Sequence, residues 1–146
     1  MEKLKIMRMS DKAVLPLRAT EGSAGMDLSA CLDHPVTIAP GERVCIPTGI
    51  AIALPSKETV GLVYARSGMA VRDGIALVNG VGVIDSDYTG EIQVGLINLS
   101  KEPYTVNPGQ RIAQLVVAPV LLPAVEEVES LTETERGSGG FGSTGR

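Results

Sequence analysis

Val78-Asn79-Gly80-Val81-Gly82-Val83-Ile84-Asp85-Ser86-Asp87-Tyr88-Thr89-Gly90 reads as two short apolar strands that meet at glycines, followed by a turn crowded with acids. Val81, Val83 and Ile84 are β-branched, which suits a pleated, half-buried surface. Gly80 and Gly82 permit positive φ or a close backbone approach, and Asn79-Gly80 is a hairpin signal. Two carboxylates, a phenol and a turn glycine follow the apolar run directly. A carboxylate at a strand end can orient and deprotonate a water. Taken alone, Asp85 and Asp87 are more simply read as turn formers whose side chains bond their own backbone.

Working outward, Thr59 to Ala65 is a near-continuous apolar strand that runs into Arg66-Ser67-Gly68-Met69-Ala70-Val71-Arg72-Asp73-Gly74. This second piece is the one convincing helix, with Ser67 as N-cap and Gly74 as stop. A strand feeding a helix that starts with Arg, Ser and Gly places backbone N–H groups, a hydroxyl and a guanidinium at one spot, an anion site; a plain N-cap beside a solvated arginine is the equal alternative. Downstream, Glu91 to Asn98 alternates as a half-buried strand. Asn107-Pro108-Gly109 is a turn, and Arg111 to Val117 is the next strand. Period two puts Gln114 on the face of Ile112 and Val116, where its amide needs partners, either a ligand or a backbone group.

Upstream, Leu4 to Met9 reads as a first strand, and Asp27 follows a tight approach bracketed by Gly22 and Gly25. Asp27 alone is more simply a turn or cap residue. Pro35 to Pro55 gives three short strands, with turns at Pro40-Gly41 and from Pro47 to Gly49. His34, the single histidine, sits in a loop, which argues against His-based nucleophilic or zinc chemistry.

The composition agrees with many short strands. The chain has 146 residues, 44% hydrophobic, with no Trp, one Phe and three Tyr, and with 17 Gly and 9 Pro spread along it. That describes one domain with an aliphatic core, an all-β sandwich or barrel. A net charge of −4 argues against stable nucleic-acid binding, which needs a basic face, but not against a small anionic ligand. Cys31 and Cys45 have no metal-like spacing. There is no signal peptide pattern and no apolar window long enough to span a membrane, so the expected location is cytoplasmic.

From Glu126 the character changes to acidic and polar, and then to Arg136-Gly137-Ser138-Gly139-Gly140-Phe141-Gly142-Ser143-Thr144-Gly145-Arg146. A glycine-rich end should be mobile when free. It nevertheless holds the chain's one Phe, with an arginine before it and two hydroxyls after it. Gly137 and Gly142 have P-loop spacing, but Ser143 stands where the lysine belongs and no helix can follow, so this is not a P-loop NTPase. It can still wrap a phosphate with N–H groups and hydroxyls, and the phenyl ring can lie on a base.

Five separated motifs together resemble the trimeric dUTPases. They are Ala24-Gly25-Met26-Asp27-Leu28, Arg66-Ser67-Gly68, the stretch Gly82 to Gly90, Pro108-Gly109-Gln110-Arg111-Ile112-Ala113-Gln114, and the tail from Arg136 to Gly145. They occur in the family's order and spacing. Met26 departs from the Tyr or other large residue of many members, without touching the chemistry.

The resemblance implies an all-β, jelly-roll-like catalytic domain over 1–125, with one short helix, and a mobile C-terminal arm over 126–146 closing on a neighbouring subunit. It implies a homotrimer with three sites at subunit interfaces. Each would take the phosphate motifs from one chain, the uracil hairpin from a second and the arm from a third. It implies hydrolysis of dUTP to dUMP and pyrophosphate, limiting uracil in DNA and supplying dUMP for dTMP synthesis. Asp85 would activate the water that attacks the α-phosphorus. Mg²⁺ would bridge the triphosphate, with Asp27 holding it through a water. Arg66, Ser67, Gly68 and Gln114 would bind phosphates. Asn79 and the backbone about Gly82 would read uracil, and Tyr88 would lie under the deoxyribose and exclude a 2′-hydroxyl. Arg136, Ser143 and Thr144 would grip the γ-phosphate, Phe141 would stack on uracil, and Gly142 would also belong to the substrate-binding set. Two other readings remain: a dCTP deaminase-like enzyme of the same fold, and a non-catalytic dUTP-binding trimer.

Overall fold

The computed structural model describes residues 2–145. Two four-stranded antiparallel sheets face each other. One has the order β1-β4-β8-β6 and the other β2-β10-β5-β7, with a separate pair β3-β9. The first sheet comprises β1 (Lys5–Arg8), β4 (Arg43–Ala53), β8 (Glu91–Asn98) and β6 (Ile75–Leu77). The second comprises β2 (Met26–Ser29), β10 (Arg111–Pro119), β5 (Thr59–Tyr64) and β7 (Gly82–Ile84). The pair is β3 (Val36–Ile38) with β9 (Tyr104–Val106). Alternate side chains point inward, so Ile46, Ile50, Ile92, Val94 and Leu96 from one sheet pack with Leu28, Val63, Ile84, Ala113 and Leu115 from the other. This is the expected jelly-roll-like sandwich with an aliphatic core. Among the described residues no helix is long and apolar enough to cross a membrane.

Three local expectations change. Asn79-Gly80 does not close a hairpin, because β6 pairs with β8 and β7 pairs with β5. Residues 78–81 instead carry the chain from the edge of one sheet to the edge of the other, with Gly80 at φ 67°. Local sequence signals the sharp reversal, but only the apolar faces on either side decide which strands pair. The three strands expected over Pro35 to Pro55 are β3 and one long β4. The segment from Pro47 to Gly49 is a bulge within β4, where the register against β8 shifts between Pro47 and Ala51. Glu91 holds that bulge by accepting the Gly49 N–H at 3.2 Å, and buried Thr48 donates to the Ile92 carbonyl.

The helix is α1 (Ser67–Asp73), so Ser67 is its first residue rather than its cap. Arg66 holds the capping position with extended backbone and makes no side-chain capping bond. Gly74 ends the helix as expected, at φ 73°. A Cβ there would lie 3.0 Å from the Ser100 side chain.

Candidate active site

The strand order gathers the phosphate-type residues. β10 lies between β2 and β5, and its Gln114 faces Asp27 on one side and Tyr64 on the other. Tyr64 ends β5, so Ala65 and Arg66 leave the sheet beside Gln114. Arg66 Nε donates to Asp27 Oδ1 at 3.1 Å and Arg111 Nη1 to Asp27 Oδ2 at 3.3 Å. Gln114 Nε2 donates to the Ala65 carbonyl at 2.9 Å. The amide on β10 thus finds a backbone partner, and its Oε1 remains for another donor.

Asp27, Arg66, Arg111 and Gln114 line an open cavity of about 620 Å³ with Gly25, Ser67, Gly68 and Arg72. The first intrahelical bond of α1 runs from the Ala70 N–H to the Arg66 carbonyl. The N–H groups of Ser67, Gly68 and Met69 precede it and have no acceptor in the helix. One carboxylate set against Arg66 and Arg111 leaves the wall with positive charge. Arg72 is matched by its own neighbour, since Nε and Nη2 reach the Asp73 carboxylate at 3.0 and 3.1 Å. Those two hydrogen bonds hold the Asp73 carboxyl below the ordinary carboxylate range. The arrangement suits a polyanion.

A second cavity, of about 330 Å³, opens where the β7 edge of one sheet meets β6 and β8 of the other. Val63, Leu77, Ile84, Ile92 and Val94 form its apolar floor, and Asn79, Gly82, Asp85, Tyr88 and Glu91 its polar rim. Asp85 directly follows β7 and is exposed. Its carbonyl accepts the Tyr88 N–H at 3.1 Å, closing the turn. The Tyr88 hydroxyl donates to the Glu91 carbonyl at 2.7 Å, which ties the turn to the start of β8. Gly82 lies close against Val63: a Cβ there would lie 3.2 Å from Val63 Cβ and 3.4 Å from Asn79 Nδ2. A small planar base with amide-like edges suits such a slot.

The expected site residues therefore fall into separate groups. Asp27, Arg66, Ser67, Gly68 and Gln114 share one cavity, while Asn79, Gly82, Asp85 and Tyr88 share the other. No residue lines both. Arg136, Phe141, Gly142, Ser143 and Thr144 line neither. Within the tail, Arg136 Nε donates to the Gly139 carbonyl at 2.6 Å, and the Phe141 ring is fully exposed at φ 52°.

Arg111, for which no role was expected, stands inside the motif from Pro108 to Gln114. Its signal lay in the strand register, which sets β10 beside Asp27. Among the described residues no group of three or more His, Cys, Asp or Glu could cage a metal. Asp27 is a single hard oxygen donor beside a polyanion cavity. That donor set fits Mg²⁺, which keeps most of its waters and takes one or two carboxylates plus substrate phosphates.

A family model described as dUTPase matches residues 11–145. The chain is 52% identical over 143 residues to the deoxyuridine 5'-triphosphate nucleotidohydrolase of Desulfitobacterium hafniense, a match covering 98% of this chain and 95% of that one. It is 49% identical over 145 residues to the same enzyme of Legionella pneumophila, again covering 98% and 95%. Among solved structures, the Staphylococcus bacteriophage 80alpha dUTPase with dUpNHpp is similar at a TM-score of 0.90 and 28% identity, covering 100% of both chains. A mutant dUTPase of phage phi11 of S. aureus, reported for coordination of a structural Mg(II) ion, is similar at a TM-score of 0.79 and 25% identity, covering 88% of this chain and 97% of that one.

Proposed function

The chain belongs to the dUTPase family, and on that premise we propose that it hydrolyses dUTP to dUMP and pyrophosphate. The observation that carries the reading is the pairing, on one such chain, of a base-sized cavity rimmed by Asn79, Asp85 and Tyr88 with an arginine-walled cavity suited to phosphates. A nucleoside triphosphate needs both.

Asn79 and the backbone about Gly82 read the uracil edge and select it over thymine. Tyr88 lies under the deoxyribose. Asp85 orients a water and takes its proton as the oxygen attacks the α-phosphorus, and pyrophosphate leaves in line. Arg66, Ser67, Gly68 and Gln114 hold the phosphate oxygens. Asp27 would hold Mg²⁺ through a bound water, and the metal supplies neutralisation of triphosphate charge. Arg111 positions Asp27 by sharing its carboxylate with Arg66.

The two cavities share no residue, which supports a homotrimer whose sites form between subunits: phosphate cavity from one chain, base cavity from a second. The arm from Glu126 onward then serves a site made by its neighbours. There Arg136, Gly142, Ser143 and Thr144 close on the γ-phosphate, and Phe141 stacks on the base. Closure excludes bulk water and fixes the reacting atoms. The jelly roll up to 125 is the catalytic body. A cytoplasmic location suits a free nucleotide substrate.

The test is pyrophosphate release from dUTP, dTTP, dCTP and UTP with Mg²⁺. Hydrolysis confined to dUTP supports the reading. Ammonia release from dCTP, or dUTP binding without turnover, overturns it. Mixing Asp85→Asn and Arg66→Gln chains tests the shared site. Neither variant turns over alone, but random mixed trimers regain about a quarter of the wild-type rate, because a quarter of interfaces pair two intact halves. No recovery on mixing means that each site is built within one chain.

A further inference from the structure

Gly90 lies at the end of the acidic turn, and its backbone gives no reason for a glycine. It is not among the residues with positive φ, so any L-residue could adopt its conformation. The reason is the Tyr88 ring. A Cβ at position 90 would lie 2.7 Å from the Tyr88 hydroxyl oxygen, 2.8 Å from Cζ and 3.1 Å from Cε2. The outer half of the phenol lies across the Gly90 backbone, and the hydroxyl is fastened beyond it to the Glu91 carbonyl at 2.7 Å. The rest of the ring stands partly in solvent, at 46% exposure.

We propose that Gly90 is a specificity-determining residue: its missing side chain is the seat that holds the Tyr88 phenol at the height where it closes the sugar pocket against a 2′-hydroxyl. This rests on the placement of Tyr88 under the deoxyribose. Gly90 touches no substrate and acts through the ring. A methyl group there lifts the hydroxyl off the Glu91 carbonyl and swings the ring toward solvent. Because the crowded atoms are the free end of an exposed side chain, the sandwich itself need not move.

The experiment measures kcat/KM for dUTP and for UTP in wild type, Gly90→Ala, Tyr88→Ala and the double variant. Gly90→Ala is expected to lower the dUTP-to-UTP ratio at least tenfold, toward that of Tyr88→Ala, with little change in Tm. In the Tyr88→Ala background the second substitution has no further effect on the ratio. A Gly90→Ala ratio within twofold of wild type overturns the proposal. So does an equal fall for both substrates, or a double variant far below Tyr88→Ala. Tyrosine ring resonances of isotope-labelled protein read the seat without turnover, and an unmoved Tyr88 ring in Gly90→Ala refutes the seating. A wild type that does not prefer dUTP to UTP instead refutes the reading of the function beneath it.

Discussion

Gly25→Ala should disable the phosphate cavity without disturbing the fold. Gly25 is not among the residues with positive φ, so its backbone accepts alanine. The new Cβ would lie 2.3 Å from Gln114 Oε1, 3.1 Å from Cδ and 3.2 Å from Cβ. An ordinary carbon contact needs about 3.5 Å, so the amide must retreat by roughly 1 Å. Turning the terminal amide alone does not suffice, because Cδ and Cβ are crowded too. The retreat breaks the 2.9 Å bond to the Ala65 carbonyl, a loss of about 1 kcal/mol. For a domain of this size that lowers Tm by roughly 2–4 °C.

The effect on rate is larger, since misplacing a positioning group by about 1 Å can lower turnover by ~100-fold. Steady-state pyrophosphate release from dUTP should therefore show kcat/KM falling by about 10- to 100-fold while the protein stays folded. The partner measurement is Gln114→Ala with and without Gly25→Ala. If the glycine acts only by seating Gln114, it has no further effect once that amide is gone. Activity within twofold of wild type in Gly25→Ala, or a full additional loss in the double variant, refutes this reasoning.

Asp85→Asn keeps dUTP binding, measured by calorimetry, and loses about 10²- to 10⁴-fold in kcat; its Tm is unchanged because the side chain is exposed. Removing the arm from Arg136 onward cuts kcat/KM and leaves Tm unmoved, since in this chain that segment lines neither cavity; a fall in Tm would show that it braces the body. Asp27→Asn removes the charge shared by Arg66 and Arg111, so the Mg²⁺ concentration giving half-maximal rate rises; an unchanged Mg²⁺ dependence refutes the assignment of the metal to Asp27. Leu115→Ala, in a fully buried position, lowers stability by about 2–5 kcal/mol, read as a shift of the denaturant midpoint.

Local chemistry by itself determined much of this protein. Alternation from Glu91 to Asn98 set β8 at its observed bounds, because a strand with one buried face must place every second residue inside. The glycine stop of α1 was legible because αL backbone costs glycine nothing. The acidic turn after Ile84 and the five spaced motifs pointed to the family and supplied the candidate site residues by type. Pairing was not legible. Asn79-Gly80 signals a reversal, but whether the chain returns along the same sheet or crosses to the other depends on which edges still need a strand. Pro47 to Gly49 signals a break, yet neighbours on both sides keep β4 in one piece with a bulge.

The division of the site was likewise decided only by the tertiary structure. The strand order β2-β10-β5-β7 gathers Asp27, Gln114 and Arg66 at one place and leaves Asp85 and Tyr88 at another. Long-range register is a sum over the whole core, and no short stretch of sequence contains it. The same holds for Gly25 and Gly90. Each is a glycine because of a side chain that lies across it, and that contact exists only once the chain has folded.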